Sequence, residues 1–276
     1  AADLGMDTLA LTDRDSLSGV VRAFARGRER GVRIIPGSAL SVELPSGEED
    51  SLLLLASTRE GYARLTRLLT LGHSRRPKGE SSVPWSALLE QTRGLIAISS
   101  NPSLFSPLYE AFGDDLFAGL ERHLRPHDRR VEEAIVREAS RLGVLPVAAN
   151  RVLFHDRSRR PLANLLVAIR HRKPVRECGF LLHPNGEFDL KSEEAMRARF
   201  EDRPEALEAT LEIKRRTHFE LSHLRYRYPE EHLPEGENES SHLRSLTFQG
   251  AKERYPRGIP PKVRAQLEAE LALIAE

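Results

Sequence analysis

Residues 8–20 read TLALTDRDSLSGV, and the change of character within this stretch decides how the chain is built. The apolar run Leu9, Ala10, Leu11 breaks into Thr12, Asp13, Arg14 and Asp15, and a helix-like pattern begins only after Ser16 to Gly19. A strand that ends in polar residues before a helix is the repeating unit of parallel α/β folds, which place their chemistry at the C-terminal ends of the strands. Two carboxylates on such a turn fit a metal or phosphate site. They also fit a turn fixed by Asp13 and a helix capped by Asp15 or Ser16.

The same unit recurs outward from this stretch. Helical spacing over 19–30 stops at Gly31, and strand-like 32–35 meets Pro36 and Gly37 before a second apolar stretch, 39–44, reaches a Pro-Ser-Gly-Glu turn. The continuous apolar run 52–56 suits a strand buried on both faces. A helix over 58–71 carries Thr58 as N-cap, and a polar, basic loop covers 74–82. Further strands are expected at 95–98, 116–120 and 144–149, with helices at 85–91, 103–112, 128–142, 161–170, 193–200 and 204–216. Past Arg216 the composition shifts: LRYRYPEEHLPEGENES reads as an irregular connector, followed by helices over 241–255 and 261–276.

Bulk properties exclude several classes. The 276 residues are 39% hydrophobic and 30% charged, which describes a globular protein with enough apolar material for a core. Forty-two Lys and Arg against 41 Asp and Glu leave a formal charge of +1, so any nucleic-acid affinity has to come from a local patch. Cys178 is the single cysteine; it excludes an internal disulfide or thiolate cluster and suits a reducing cytoplasm, the expected location. No apolar run approaches membrane-spanning length. The chain opens at Ala1 on AADLGMD, and we expect an internal piece of a longer polypeptide.

Candidate chemistry is sparse. No P-loop, dinucleotide fingerprint, nucleophile elbow or paired-cysteine zinc motif occurs. His73, at a helix end, reads either as a ligand or as a polar terminus favoured by the helix dipole. Asn150, Arg151 and His155 follow a strand end, where they serve a functional rim or merely cap and turn. Cys178 has no base partner in its surroundings and reads as inert. The strongest charge signal lies between 157 and 176, where Arg157, Arg159, Arg160, Arg170, Arg172, Lys173 and Arg176 occur with no Asp or Glu. Such a run fits contact with nucleic acid or an acidic partner, or simply a solvated surface.

Seven ordered blocks carry a family resemblance. LALTDRDSLSGVV, RIIPGSALSVE, LLLLASTREGYARLTRLLTLGH, RGLIAISS, RLGVLPVAANRVLFH, RRPLANLLVAIRH and LRYRYPEEHLPEGE, in that order, resemble the N-terminal region of bacterial C-family replicative DNA polymerases, the error-prone branch above all. That resemblance implies a PHP (polymerase and histidinol phosphatase) domain over residues 1–216, a distorted β/α barrel of the α/β class, incomplete at its N-terminus. Residues 217–276 would then be a connector and helices entering the polymerase palm.

The resemblance also implies where a divalent metal cluster would sit, and most of those positions have changed. The Thr-Asp-His-Asp pattern falls on Thr12 to Asp15, keeping Asp13 but placing Arg14 where the family has a histidine. A glutamate position is Ala39, a cysteine position is Asn101 or a close neighbour, and an Asn-Asp-Val-His block becomes Asn150, Arg151, Val152 and Leu153. His73 is kept. Guanidinium groups stay protonated and cannot coordinate a cation. The implied expectations are therefore no catalytic residues, no metal and no cofactor in these 276 residues, with Arg14 and Arg151 joining Asp13 or Asp15 in a salt-bridged plug.

The function so implied is a piece of an error-prone DNA polymerase, a nucleotidyltransferase of DNA replication and translesion repair synthesis. The whole enzyme would use Mg2+, DNA and deoxynucleotides, with the palm and accessory proteins as contacts and no membrane partner. A metal-dependent PHP phosphoesterase or 3'-5' exonuclease, or a stand-alone interaction module, are the competing readings.

Overall fold

The computed structural model describes residues 1–224, 233–234 and 236–275. It divides into two compact units, Ala1–Leu224 and Arg225–Glu276. Most of the expected connector, 225–232 and 235, lies outside the described residues.

The first unit is built on a curled, open half-barrel sheet with the strand order β1-β2-β3-β5-β6-β7 and β4 paired to β2. These strands are β1 (Thr8–Leu11), β2 (Arg33–Glu43), β3 (Glu49–Ala56), β4 (Val83–Pro84), β5 (Leu95–Ser99), β6 (Leu116–Glu121) and β7 (Leu145–Ala149). The sheet is mixed rather than purely parallel, because β3 runs antiparallel to both of its neighbours. Its reversal follows from the tight connection after β2, where Gly47 takes a left-handed φ of 83° and Leu44 N donates to Glu48 O at 2.8 Å.

The sequence reads two strands on either side of Pro36 and Gly37, whereas the structure has one. Residues 33–36 pair only with β1, and 37–43 pair with β3, so β2 changes partner at Pro36. A proline lacks the N–H for a ladder bond and is tolerated where one side of a strand has no partner. Gly37 is needed for closeness: a Cβ there would stand 2.6 Å from Leu54 O.

The helices of this unit are α1 (Val20–Arg30), α2 (Arg59–Ser74), α3 (Trp85–Leu89), α4 (Phe105–Phe112), α5 (Asp128–Leu142), α6 (Arg160–His171), α7 (Glu193–Arg199) and α8 (Pro204–Arg216). Thr58 caps α2 by accepting from Gly61 N at 3.1 Å, and Gly31 and Gly143 end α1 and α5 in left-handed conformations. Alternate strand residues separate two cores. Leu54, Leu95, Ala97, Leu116, Ala118 and Leu120 face the cluster that includes Leu65, Leu68, Phe105, Leu108 and Ile135 of the covering helices. Leu55, Ile96, Phe117 and Val147 face Ala209 and Ile213 of α8. A sheet buried on both faces explains the unbroken apolar run at Leu52 to Ala56.

The second unit pairs α9 (Glu239–Arg254) with α10 (Pro261–Ala275). Arg244 meets Glu268 in a two-pronged ion pair at 2.6 Å, and Arg244 and Arg264 both lie over the Phe248 ring.

Candidate functional site, a degenerate strand-end pocket

The strand-end turn after β1 is extended by the sheet itself. Arg14 and Ala39 form a parallel bridge: Ala39 N donates to Asp13 O at 3.1 Å and Asp15 N donates to Ala39 O at 3.0 Å. Asp15 then adopts φ 49°, a left-handed conformation that aspartate tolerates better than most residues. Its carboxylate accepts from Ser41 N at 2.6 Å and from Ser41 Oγ at 2.7 Å. Arg14 donates to Ser41 Oγ through Nη2 at 3.1 Å, and its Nε lies 3.6 Å from Asp15 Oδ2.

His73, from the last turn of α2, closes this network. Its Nε2 is 2.8 Å from Asp15 O and its Nδ1 is 3.3 Å from Glu80 O. A carbonyl only accepts, so the shorter contact assigns the proton to Nε2. The ring thus has one nitrogen engaged as a donor, while the other faces a second carbonyl. Arg14, Asp15, Ser16, His73, Glu80 and Arg170 line a cavity of about 420 Å³. Arg170 of α6 was legible as part of a basic run but not as part of this pocket, which the tertiary fold alone assembles.

Asp13 does not join that network through its side chain. The carboxylate stands over the start of α1, where a Cβ on Gly19 would come 2.8 Å from Asp13 Oδ2. An acid at a helix N-terminus complements the dipole. Asn101 is likewise a cap: it accepts from Ser103 N at 3.1 Å and donates from Nδ2 to Asp50 Oδ2 at 2.6 Å.

Arg151 and Leu153 lie past β7, and the single plug expected from Arg14 and Arg151 divides into separate pairs. Arg151 Nε is 3.3 Å from Glu121 Oε1 at the end of β6, not beside Asp13 or Asp15. The reason lies in strand order, since β1 and β7 occupy opposite ends of the sheet. Leu153 N donates to Phe188 O at 2.8 Å, and Asn150 Nδ2 donates to Asp189 O at 2.6 Å, so the segment around Phe188 covers this strand end. His123, fully buried, stacks on Phe188 with ring centroids 4.0 Å apart, and neither of its ring nitrogens has a hydrogen-bond partner. Burial lowers its pKa, against the opposing pull of Glu121.

The basic run divides by role. Arg157 pairs with Glu187 and Asp189, Arg160 donates to the carbonyls of His183 and Pro184, and Arg176 lies 3.6 Å from Glu177. These three therefore have structural partners. Arg159, Arg170, Arg172 and Lys173 form no ion pair among the described residues. Glu187 is a hub that sequence reading missed. Burial raises its carboxyl pKa, but Arg199 and Lys191 prevail and hold it below the usual value. Cys178 is buried, with Sγ 3.4 Å from Pro174 O.

Whether a metal cluster fits is decided by the donor set. Arg14, Ala39, Asn101, Arg151 and Leu153 present no anionic or imidazole donor, and His73 is engaged by carbonyls. Among the described residues, no group of three or more His, Cys, Asp or Glu side chains stands close enough to hold a metal ion. The residues present do not fit the cluster.

A barrel-like sheet with its polar residues gathered at strand ends defines the class. Residues 1–173 match the PHP domain, and the chain belongs to that family. It is 40% identical over 281 residues to an error-prone DNA polymerase of Pseudomonas aeruginosa, covering 100% of this chain and 27% of that protein. An error-prone DNA polymerase of Caulobacter vibrioides is 36% identical over 282 residues, covering 99% and 26%. The chain thus spans about a quarter of the length of these relatives, and it resembles the N-terminal PHP region of such polymerases. A crystal structure from Bifidobacterium adolescentis, of a protein thought to be a metal-dependent phosphoesterase, aligns at 12% identity and TM-score 0.40, covering 54% of this chain and 78% of that one. That likeness is too slight to argue from. No helix among the described residues is long and apolar enough to cross a membrane.

Proposed function

We propose that the chain is the PHP region of an error-prone DNA polymerase and that its own strand-end pocket is structural rather than catalytic. Nucleotidyl transfer to DNA from deoxynucleotides would use Mg2+ held by palm carboxylates outside these residues. The PHP region would brace the palm and offer a surface to accessory proteins. One observation carries the pocket's part in this reading: the retained His73 donates to the Asp15 carbonyl while Arg14 is tied to Ser41 and Asp15. A cation placed there would meet a guanidinium instead of the imidazole and carboxylates that offset charge in a metal cluster.

The test has two arms. The chain, stripped of metal and then dialysed against Zn2+ or Mn2+, is expected to hold no stoichiometric metal by elemental analysis and to hydrolyse no phosphoester above the buffer blank. A polypeptide of the relatives' length is expected to extend a primed template with Mg2+, and to go on doing so with H73A and D13A. Hydrolysis that tracks metal loading would overturn the structural reading of the pocket. Absence of primer extension would overturn the polymerase assignment.

A further inference from the structure

Residues 183–191 lie across the ends of β6 and β7. Strands β1, β2, β5, β6 and β7 all run the same way, so their C-terminal ends share one rim, and this strap covers the part of it farthest along the sheet from β1. Leu153 N donates to Phe188 O at 2.8 Å, Leu190 N donates to Phe154 O at 3.1 Å, and Asn185 Nδ2 donates to His123 O at 2.6 Å. Arg160 holds the carbonyls of His183 and Pro184, and Glu187 pairs with Arg157, Lys191 and Arg199. Among the described residues these partners all stand outside the seven strands, so the strap can lift while the sheet stays whole.

Two histidines meet at its centre. His123, fully buried two residues past β6, stacks on Phe188, and His183, the first residue of the strap, packs on the same ring with centroids 4.4 Å apart. Neither histidine is placed to carry a proton. Both nitrogens of His123 lack a hydrogen-bond partner, and the Glu121 carboxylate, 3.8 Å from its Nδ1, already pairs with Arg151. The Asp128 carboxylate accepts from the backbone amides of His123 and Arg125. Burial is the largest influence on His123 and opposes its charge, as does Arg125; Glu121, the Asn150 carbonyl and Asp128 favour the charge and do not prevail. On His183, burial, Arg151 and Arg125 all act against the charge. Both pKa values therefore lie below the reference 6.5.

We propose that residues 183–191 form an acid-released strap, closed over the ends of β6 and β7 while His123 and His183 are neutral and opened when they take up protons. Lifting Phe188 returns both rings to water, where each binds a proton more readily than under the strap. The closed form is fully favoured above pH 6.5, and the open population grows as pH falls below it, by at most about tenfold per pH unit for each histidine. The open form bares His123 and Glu121 at the end of the rim, a polar surface that neutral solution keeps covered. This device lies within the first unit and depends on neither the strand-end pocket nor the polymerase reading.

Amide hydrogen exchange of the whole 276-residue chain between pH 7.5 and 5.5, corrected for intrinsic rates at each pH, reads the strap directly. Protection of the Leu153 and Leu190 amides, whose bonds break on opening, is expected to fall at least about tenfold over this range. At each pH it should lie below that of the β3–β5 ladder amides and hardly change in dilute urea, because a local opening exposes little surface. H123F with H183F keeps rings on Phe188 without titration and should make the protection independent of pH. H183F alone, at a half-buried position, should reduce the slope. N185A cuts the bond to His123 O and should lower protection at every pH while leaving the pH response in place. Protection that is flat between pH 7.5 and 5.5, that equals the ladder's throughout, or that responds as steeply in H183F as in the parent would overturn the proposal.

Discussion

Arg14 and Ala39 form a parallel bridge just past the end of the β1–β2 ladder, bonded through Asp13 and Asp15. The family resemblance implies a histidine and a glutamate at these two positions, so two positions where it implies metal ligands are neighbours across strands. Exchanging one alone restores little. R14H is expected to bind no metal, because Ala39 still supplies no carboxylate, and elemental analysis after Mn2+ dialysis checks it. R14A should cost less than about 1 kcal/mol, as expected for an ion pair whose arginine is 66% exposed.

Acid should act on the first unit through two windows. His123 is buried and its pKa lies below the reference 6.5, burial being the largest cause. The unfolded chain then binds its proton first, so the contribution of His123 is fully present above pH 6.5 and is lost as pH falls toward the folded value. The slope cannot exceed about 1.4 kcal/mol per pH unit for one group. H123F keeps the stacking on Phe188, removes two unpartnered nitrogens, and should flatten this window in urea melts taken between pH 7 and 5.

Glu132 belongs to the lower window. Burial raises its pKa, yet Arg122 and Arg203 overcome that and hold it below the reference 4.5. Its stabilising contribution is therefore complete above pH 4.5 and disappears as pH falls through the depressed value. E132Q leaves Arg122 and Arg203 short of a carboxylate and should cost roughly 2–3 kcal/mol at neutral pH. The loss relative to the parent should shrink at pH 3, and equal losses at both pH values would contradict the assignment.

Of the two glycines in α2, Gly61 is the more tightly enclosed. A Cβ there would stand 1.7 Å from Gly94 O, a backbone atom in the turn that leads into β5. G61A should destabilise by about 3 kcal/mol or more, the upper end of overpacking costs, and lower the denaturant midpoint accordingly.

Arg172 ends α6 in a left-handed conformation with φ 52°. Glycine takes that conformation without the penalty, so R172G should stabilise by about 1 kcal/mol. A thermal melt with unchanged spectroscopic baselines is the check.

Local signals made much of this architecture readable. Thr58, Gly31 and Gly143 mark helix ends through bonds made within a few residues, and each acts as its sequence context implies. Pro36 and Gly37 misled because their meaning depends on which strand lies on either side, and that is set by residues far along the chain. The pocket shows the same divide. Asp13, Arg14 and Asp15 announce a strand-end turn, but Ser41 lies 26 residues from Asp15, and Arg170 reaches the cavity from another helix. Glu121 and Glu187 carry no motif and acquire their roles only when the fold sets Arg151 and Arg199 beside them.

The change of partner at Pro36 has a consequence for motion. β1 is joined to the sheet by four register pairs, Thr8 to Leu11, along a stretch of β2 that no other strand touches. That corner can open without disturbing the ladder between β2 and β3. Amide hydrogen exchange should therefore run as two populations along a single strand: residues 33–35, with Ala39 and Ser41 whose amides donate to Asp13 O and the Asp15 carboxylate, exchanging by local opening, and the amides that bond β3 only when the sheet as a whole gives way.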